Sequence, residues 1–508
     1  MSNRTSKLFS MFVGPKGENL DLLSSLIVYG LGRHKKWRAR FFQDDPSLYP
    51  PGQTLFTEDE KEIHHAFDEL LDRLESNIPF FHPRYAAQML KDPAIPAALG
   101  YIMTMLINPN NHAYEGGPAT TEMELEVIDD LLRLVGFDSG WGHLTSGGSL
   151  ANLEALWAVR DLRKTGQVLF SVGSHLSWMR ICNILNIPGF KEIPVDKHYR
   201  MDLNALESEL KHGETMMVMA NFGTTGCGAV DPIEDILKLR EKYGFHLHVD
   251  AAYGGYVKAL MYDADFQLLS FKNAGNALTH YIYQQGLALA DVDSVTIDPH
   301  KHGMMPYGAG SVLFRHENLR QAILNSAPYT YHVKEKPNIG TYTLECSRPG
   351  AAAAGTWLTH KLFPLHREGI GMVLEKTLGT AQAAHGAMNQ LDNLHPLTEP
   401  DLDILCFYSS PGNQQQKKIS TVNKRTSDIY QNLSIENPKA PFILSKFVID
   451  EKSARTVLPN TEMDEDSFIT MRAVFMKHWM LMDSENPYFE RFVQQLEKVD
   501  SLVLQKKD

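Results

Sequence analysis

Cysteine is scarce in this chain. Four cysteines, at positions 182, 227, 346 and 406, are scattered over 508 residues, and no two form a CxxC pair. That usage excludes a disulfide scaffold or a zinc ribbon; it points to reduced thiols and leaves no metal site to expect. Long apolar runs are missing too. No stretch of about 20 apolar residues occurs, the length a membrane-spanning helix needs. The opening residues, MSNRTSKLFSMFVGPKGEN, hold no apolar core of signal-peptide length. A cytoplasmic protein with no membrane partner is the expectation. Positive charge is in deficit: 61 acids face 49 bases, a net charge of −12, which argues against nucleic acid as a partner. The GxxxxGK[ST] pattern of a nucleotide P-loop is absent from the glycine turn at Gly147 and Gly148, since no lysine follows it. Internal repeats are absent as well.

What is present is enough chain for a large core and two or three structural parts. Residues 1–80 read as helical, with an amphipathic helix in TEDEKEIHHAFDELLDRLESN. Residues 81–350 alternate helices with apolar strands, among them VLFS, MMVMANF, LHVD, SVTI and GSVLF. Such alternation is the pattern of a mostly parallel sheet with helices on both faces. Residues 351–508 open on a helix, AAAAGTWLTHKLF, and continue with DILCFYSS, PFILSKFVI and FITMRAVF, which predict a small α+β domain with antiparallel strands. The polar run at 411–428 predicts a loop leading to a helix near Asp428.

Three segments carry chemistry. In DSVTIDPHKHGMMPYGAGSVLF, a strand delivers Lys301, and a second strand follows the glycines. A lysine at the end of a buried strand is rigid and partly desolvated, conditions that lower an amine's pKa and suit it to Schiff-base chemistry. In FHLHVDAAYGG, an apolar strand ends at Asp250. Taken alone, Asp250 equally caps the next turn. Paired with a lysine at a later strand end, it fits a pyridoxal phosphate site, where an acid keeps the pyridine nitrogen protonated. In WGHLTSGGSLANLEALWAVRDLR, glycines and Ser149 lead into an amphipathic helix whose first N–H groups suit one phosphate.

These segments, with SHLSWMRI and NFGTTGCGAVDPI, stand in the order found in group II pyridoxal-phosphate-dependent amino-acid decarboxylases, and the chain resembles that family. The resemblance extends over most of residues 10–360. In MFVGPKGEN, NPNNHAYEGGPATTEMELEV and TLECSRPGAAAAGTW it is strongest to bacterial tyrosine decarboxylases. It implies an α/β protein of fold type I (aspartate-aminotransferase-like), pyridoxal 5′-phosphate as cofactor, and a homodimer with active sites at the interface. By motif, it implies that Lys301 carries the cofactor aldehyde, Asp250 pairs with the ring nitrogen and His175 stacks on the ring. Gly148 and Ser149, with His300, would hold the phosphate. Thr225 would sit near the ring hydroxyl, and Ala252 would pack against the ring.

Tyr307, six residues after Lys301, matches a tyrosine placed to return a proton to Cα; as a plain loop aromatic it would anchor the turn at Pro306. Tyr329 and Tyr331 are weaker candidates for that role. The activity so implied is decarboxylation of an L-amino acid to a primary amine, with an aromatic substrate such as tyrosine. Glutamate, aspartate or 2,4-diaminobutyrate is the alternative substrate. A carbon–carbon lyase of the sphingosine-phosphate type and a catalytically silent member are the alternative functions, and the silent one gives no chemical reason to keep both Lys301 and Asp250. Two departures bear on the substrate. Gln88 stands where tyrosine decarboxylases carry a histidine, and the chain is shorter at its C-terminus than those relatives. Gln88 and Tyr85 are the candidate substrate contacts.

Overall fold

The computed structural model describes residues 3–46, 48, 57–325, 336, 338–410, 417–482 and 487–505. Its centre is a seven-stranded sheet: β1 (Trp141–Thr145), β2 (Gln167–Ser171), β3 (Phe190–Ile193), β4 (Thr215–Asn221), β5 (His246–Asp250), β6 (Ser294–Ile297) and β7 (Gly310–Phe314). The order across the sheet is β1-β7-β6-β5-β4-β2-β3. Every neighbouring pair is parallel except the two made by β7, which runs against both β1 and β6. The five apolar runs named above are β2, β4, β5, β6 and β7. All seven residues of β4 and all five of β5 are buried, as expected for strands covered on both faces. The other two strands have weaker signals: β1 contains Gly142 and His143, and β3 contains Lys191 and Glu192.

Parallel register brings the strand ends together. Asn221 pairs with Asp250, and Asp250 with Thr296, so β4, β5 and β6 all end at one edge. β1 ends at that edge as well, and its Thr145 pairs with Gly310, the first residue of β7. Ligands in open α/β sheets bind beyond the C-terminal ends of such strands. The helices that cover the sheet are closed by local signals: helix Pro118–Val135 has Pro118 in its first turn and ends at Gly136 with φ +84°.

A second sheet, of four antiparallel strands, has the order Ser445–Asp450, Ser467–Val474, Ile404–Ser409, Leu394–Pro396. Helices Ile419–Leu433 and Tyr488–Gln505 pack with it. The helix expected near Asp428 thus begins nine residues earlier. Ile419 and Val422 are buried, and with Ile429 and Leu433 they give that polar-looking run an apolar stripe of helical period. Helix Gly350–Leu362 packs against helices Ile95–Met105 and Pro118–Val135, so the run of alanines serves close helix–helix contact. A Cβ at Gly100 would lie 2.7 Å from the Gly355 Cα. No helix among the described residues is long and apolar enough to cross a membrane.

One buried cation makes stability depend on pH. Lys258 donates from Nζ to the carbonyl of Val135 at 2.6 Å, and burial lowers its pKa to about 7. Between that value and the ordinary lysine range, the unfolded chain binds a proton that the folded chain does not. Stability from this group therefore rises with pH above about 7 and is lost as pH falls through that value. Lys258→Met should flatten the slope of unfolding free energy between pH 7 and 9 by about 1 kcal/mol per pH unit. Denaturant melts across that range check it, and an unchanged slope would refute the assignment.

Candidate active site

The C-terminal edge of the large sheet encloses a cavity of about 440 Å³. Its lining includes Gly148, Ser149, His175, Thr225, Asp250, Ala252, His300, Lys301 and Tyr307, nine of the thirteen residues singled out in the sequence. Tyr85 and Gln88 are outside that lining. Tyr85 is buried beneath Lys477, whose Nζ lies 4.8 Å from its ring centre, and it helps line a separate cavity of about 890 Å³. Gln88 is exposed. Tyr329 and Tyr331 lie outside the described residues.

Lys301 follows β6 in a tight turn. Its backbone N–H donates to the Asp298 carbonyl at 3.0 Å, and Nζ stands 3.1 Å from Asp298 Oδ2. The lowered lysine pKa expected from the sequence is not what the site produces. Burial does pull the ammonium down, but the charges of Asp298 and Asp250 outweigh it, and Lys301 sits above its ordinary value. Asp298 is the residue that the lysine reading overlooked, although it stands in the same TIDPHKHG motif. It is buried, its Oδ2 is also 3.4 Å from His300 Nε2, and its Oδ1 has no hydrogen-bond partner.

Asp250 terminates β5 nearly buried. Oδ2 accepts from Asn152 Nδ2 at 2.7 Å and from the Trp178 indole at 3.2 Å, while Oδ1 accepts from the Ala252 N–H at 3.2 Å. Asn152 and Trp178 are missing from the sequence reading, yet both lie in its motifs, TSGGSLAN and SHLSWMRI. Opposite them, Gly148 begins the helix Gly148–Arg163. A Cβ there would stand 2.8 Å from Asp298 Oδ2 and 3.2 Å from the Ala252 Cβ, so only glycine lets the turn approach this closely.

The two site imidazoles are held down by burial. His300 presents Nδ1 to the Ala309 carbonyl at 2.5 Å, and His175 presents Nδ1 to Ser177 Oγ at 2.8 Å. Both have pKa values below the usual histidine range, chiefly through desolvation. Tyr307 lies at the rim, 59% exposed, with its ring 4.5 Å from that of His300 and its hydroxyl 3.5 Å from the Met89 carbonyl. Burial of the phenol raises its pKa. Thr225 is anchored through its carbonyl, which accepts from Arg472 Nη2 at 2.8 Å.

The cavity therefore places an amine and a carboxylate at neighbouring strand ends, with a glycine–serine helix start beside them. That donor set, the small Ala252 floor and the unpartnered Asp298 oxygen fit a planar cofactor carrying an aldehyde, a basic ring nitrogen and a phosphate. This is the equipment of a pyridoxal-phosphate enzyme. The model of the pyridoxal-dependent decarboxylase conserved domain matches residues 52–409, and the chain belongs to that family. Its cofactor is pyridoxal 5′-phosphate and its reaction is amino-acid decarboxylation.

Among its relatives, the L-tyrosine decarboxylase of Levilactobacillus brevis is 31% identical over 526 aligned positions, covering 83% of each chain. The L-aspartate decarboxylase of Thermococcus kodakarensis is 28% identical, covering 69% of this chain and 86% of its own. The crystal structure of Oryza sativa TDC with PLP and tryptamine superposes with a TM-score of 0.71 at 16% identity, over 95% of this chain and 98% of that one. That last likeness establishes fold type I.

Proposed function

We propose that this decarboxylase acts on an aromatic L-amino acid, L-tyrosine foremost, and releases the primary amine and carbon dioxide. One observation carries the reading of the substrate: Lys301 is the sole lysine or arginine among the described cavity residues, whereas Tyr253, Tyr307, His175 and His300 supply rings. An acidic side chain in such a pocket would be desolvated without a second cation to meet it. A phosphorylated substrate, as in the lyase alternative, would fare worse. The L. brevis relative, alike over most of both chains, supports the same reading. The Thermococcus relative favours aspartate as the second reading.

In this reading Lys301 would hold the cofactor covalently and Asp250 would face its ring nitrogen. Gly148, Ser149 and His300 would take its phosphate, Thr225 its ring hydroxyl, and His175 and Ala252 its two faces. Bound pyridoxal 5′-phosphate supplies the electron sink for the bond that breaks at Cα. The chain's own contribution is charge and proton management. An ammonium is no nucleophile, and Asp298 Oδ2, 3.1 Å from Nζ, is placed to accept the proton Lys301 must lose. Asp250 keeps a negative charge where positive charge must persist. Tyr307, at the rim, returns a proton to Cα of the product; Gln88 and Tyr85, outside the cavity lining, are not given the substrate contact.

Two measurements test this. Mass spectrometry of products from cofactor-loaded enzyme, offered tyrosine, glutamate, aspartate and 2,4-diaminobutyrate separately, should give tyramine; β-alanine or γ-aminobutyrate as the main product would overturn the substrate. Tyr307→Phe should lower kcat about 100-fold with little change in KM, the scale of one lost proton donor. A kcat within twofold of the parent would move that role to His175.

We further infer a homodimer. Helix Leu20–Arg38 has no buried residue, and Val28 and Tyr29 are 65% and 64% exposed. Ile63 and Phe67 on helix Thr57–Glu75 are likewise exposed. Helices that leave large apolar side chains uncovered in this way offer subunit-contact surface. Sedimentation should give twice the 57.3 kDa chain mass, and a monomer at micromolar concentration would refute it. We place the enzyme in the cytoplasm, from its four unpaired cysteines, and cell fractionation tests that.

A further inference from the structure

Behind Asp250 runs a file of buried polar side chains that the roles above leave unused. The inference drawn from it rests on the reading of Asp250 as partner of the cofactor's ring nitrogen. Asn152, in the second turn of the glycine-led helix, donates from Nδ2 to Asp250 Oδ2 at 2.7 Å. Its Oδ1 is 3.1 Å from His248 Nε2. His248 lies two residues before Asp250 on β5, hence on the same face of the strand. Its Nδ1 is 2.8 Å from Ser294 Oγ on β6, and the same hydroxyl is 2.7 Å from His246 Nε2. All five residues are buried, and desolvation keeps both imidazoles neutral, with His246 lowered to about 4 and His248 held well below the usual histidine range.

Neutrality forces a direction on the file. A carboxylate can only accept, so Asn152 must turn its NH2 to Asp250 and its oxygen to His248. His248 must then carry its hydrogen on Nε2, where Thr296 Oγ1 is a second, longer contact at 3.4 Å. Its Nδ1 is left as an acceptor, so Ser294 must donate to it. The Ser294 lone pair in turn receives His246 Nε2–H. Each group has one arrangement compatible with its neighbours, and the arrangement ends on one oxygen of Asp250. That oxygen, Oδ2, receives the two rearward donors, Asn152 and Trp178, while Oδ1 has the Ala252 N–H alone. His246, His248 and Ser294, buried on these two strands, have no packing reason to be there, since aliphatic side chains would fill the same volume without the desolvation loss.

We propose that the one-way chain His246–Ser294–His248–Asn152 is a positioning device that fixes the carboxylate of Asp250 with Oδ1 turned to the cofactor. Asn152 and His248 are therefore positioning residues for this reaction.

Two experiments test it. In cofactor-free protein labelled with 15N-histidine, His248 (assigned by its loss in His248→Gln) should show the Nε2–H tautomer; an Nδ1–H or doubly protonated ring overturns the proposal without reference to catalysis. Second, His248→Leu, which cannot donate to Asn152, should lower kcat about 10-fold and weaken cofactor binding by a similar factor, the scale of one orphaned buried partner. KM should hold, and the visible band of the bound cofactor should shift its pH response. His248→Gln, whose amide N–H can replace the Nε2–H, should restore most of both. A folded His248→Leu protein with unchanged kcat, band and cofactor affinity overturns the chain, as does failure of Gln to do better than Leu. Asp250→Asn with unchanged activity and band would instead sink the reading of Asp250, whatever the tautomer of His248.

Discussion

Lys301→Ala should lose decarboxylation by about 10⁴-fold or more and lose the visible absorption of the covalently held cofactor. No other described amine lines the cavity, so nothing nearby can substitute for Nζ. The variant has a structural consequence too. Asp298 would keep only the neutral His300 imidazole, at 3.4 Å, beside its carboxylate, and one of its oxygens already lacks a hydrogen-bond partner. Removing one member of a buried pair destabilises by roughly 3–5 kcal/mol when the other charge is trapped, and the 19% exposure of Lys301 sets the expectation at the low end. Absorption spectra, turnover and a thermal melt of the cofactor-free protein read these effects separately. Turnover near the parental rate would remove Lys301 from its role.

Asp250→Asn should reduce kcat by about 10²–10³-fold while KM changes far less, because the carboxylate acts most strongly when charge develops in the reacting state. The substitution is nearly isosteric, so a packing defect is not the expected cause. Its electrostatic effect is compounded by hydrogen bonding. Asn152, Trp178 and Ala252 all point donors at position 250, and an amide offers one acceptor oxygen where the carboxylate offered two. One donor must therefore face the new NH2 group. Steady-state kinetics decide the matter; a drop confined to KM would assign Asp250 to substrate binding.

The sequence made the strand ends legible because buried parallel strands are nearly pure apolar runs, and a charged residue closing such a run stands out. Asp250 and Lys301 were visible on that ground, and the glycine turn at 147–148 on the ground of helix entry. The partners that define their chemistry were harder to see. Asp298 looks like a turn residue before a proline, yet its charge reverses the direction in which burial shifts Lys301. Asn152 sits one helical turn beyond Gly148, and Trp178 reads as core; only folding aims both at Asp250. His246 and His248 were hidden within a strand whose apolar character they interrupt. The helix at Ile419–Leu433 was obscured because its outward face is almost wholly polar. Gln88 shows the opposite failing, since likeness to a motif marked it while the fold leaves it exposed and outside the cavity lining.

The reversed strand β7 has a consequence for how the enzyme acquires its cofactor. Because β7 returns beside β6, the segment bearing Lys301 is a closed loop stitched at both ends. His300 N–H donates to the Ala309 carbonyl at 3.0 Å, and Met305 N–H donates to that of Pro299 at 3.1 Å. The pairing of Thr145 with Gly310 then clamps this loop to the glycine turn; a Cβ at Gly310 would meet the Gly147 backbone at 2.6 Å. Lys301 and the glycine turn are thus spaced by hydrogen bonds within one sheet. Little chain entropy remains to be lost on loading. Reconstitution of the cofactor-free enzyme should accordingly run in a single kinetic phase, first order in cofactor at low concentration; a second, slow phase independent of cofactor concentration in stopped-flow spectra would refute this.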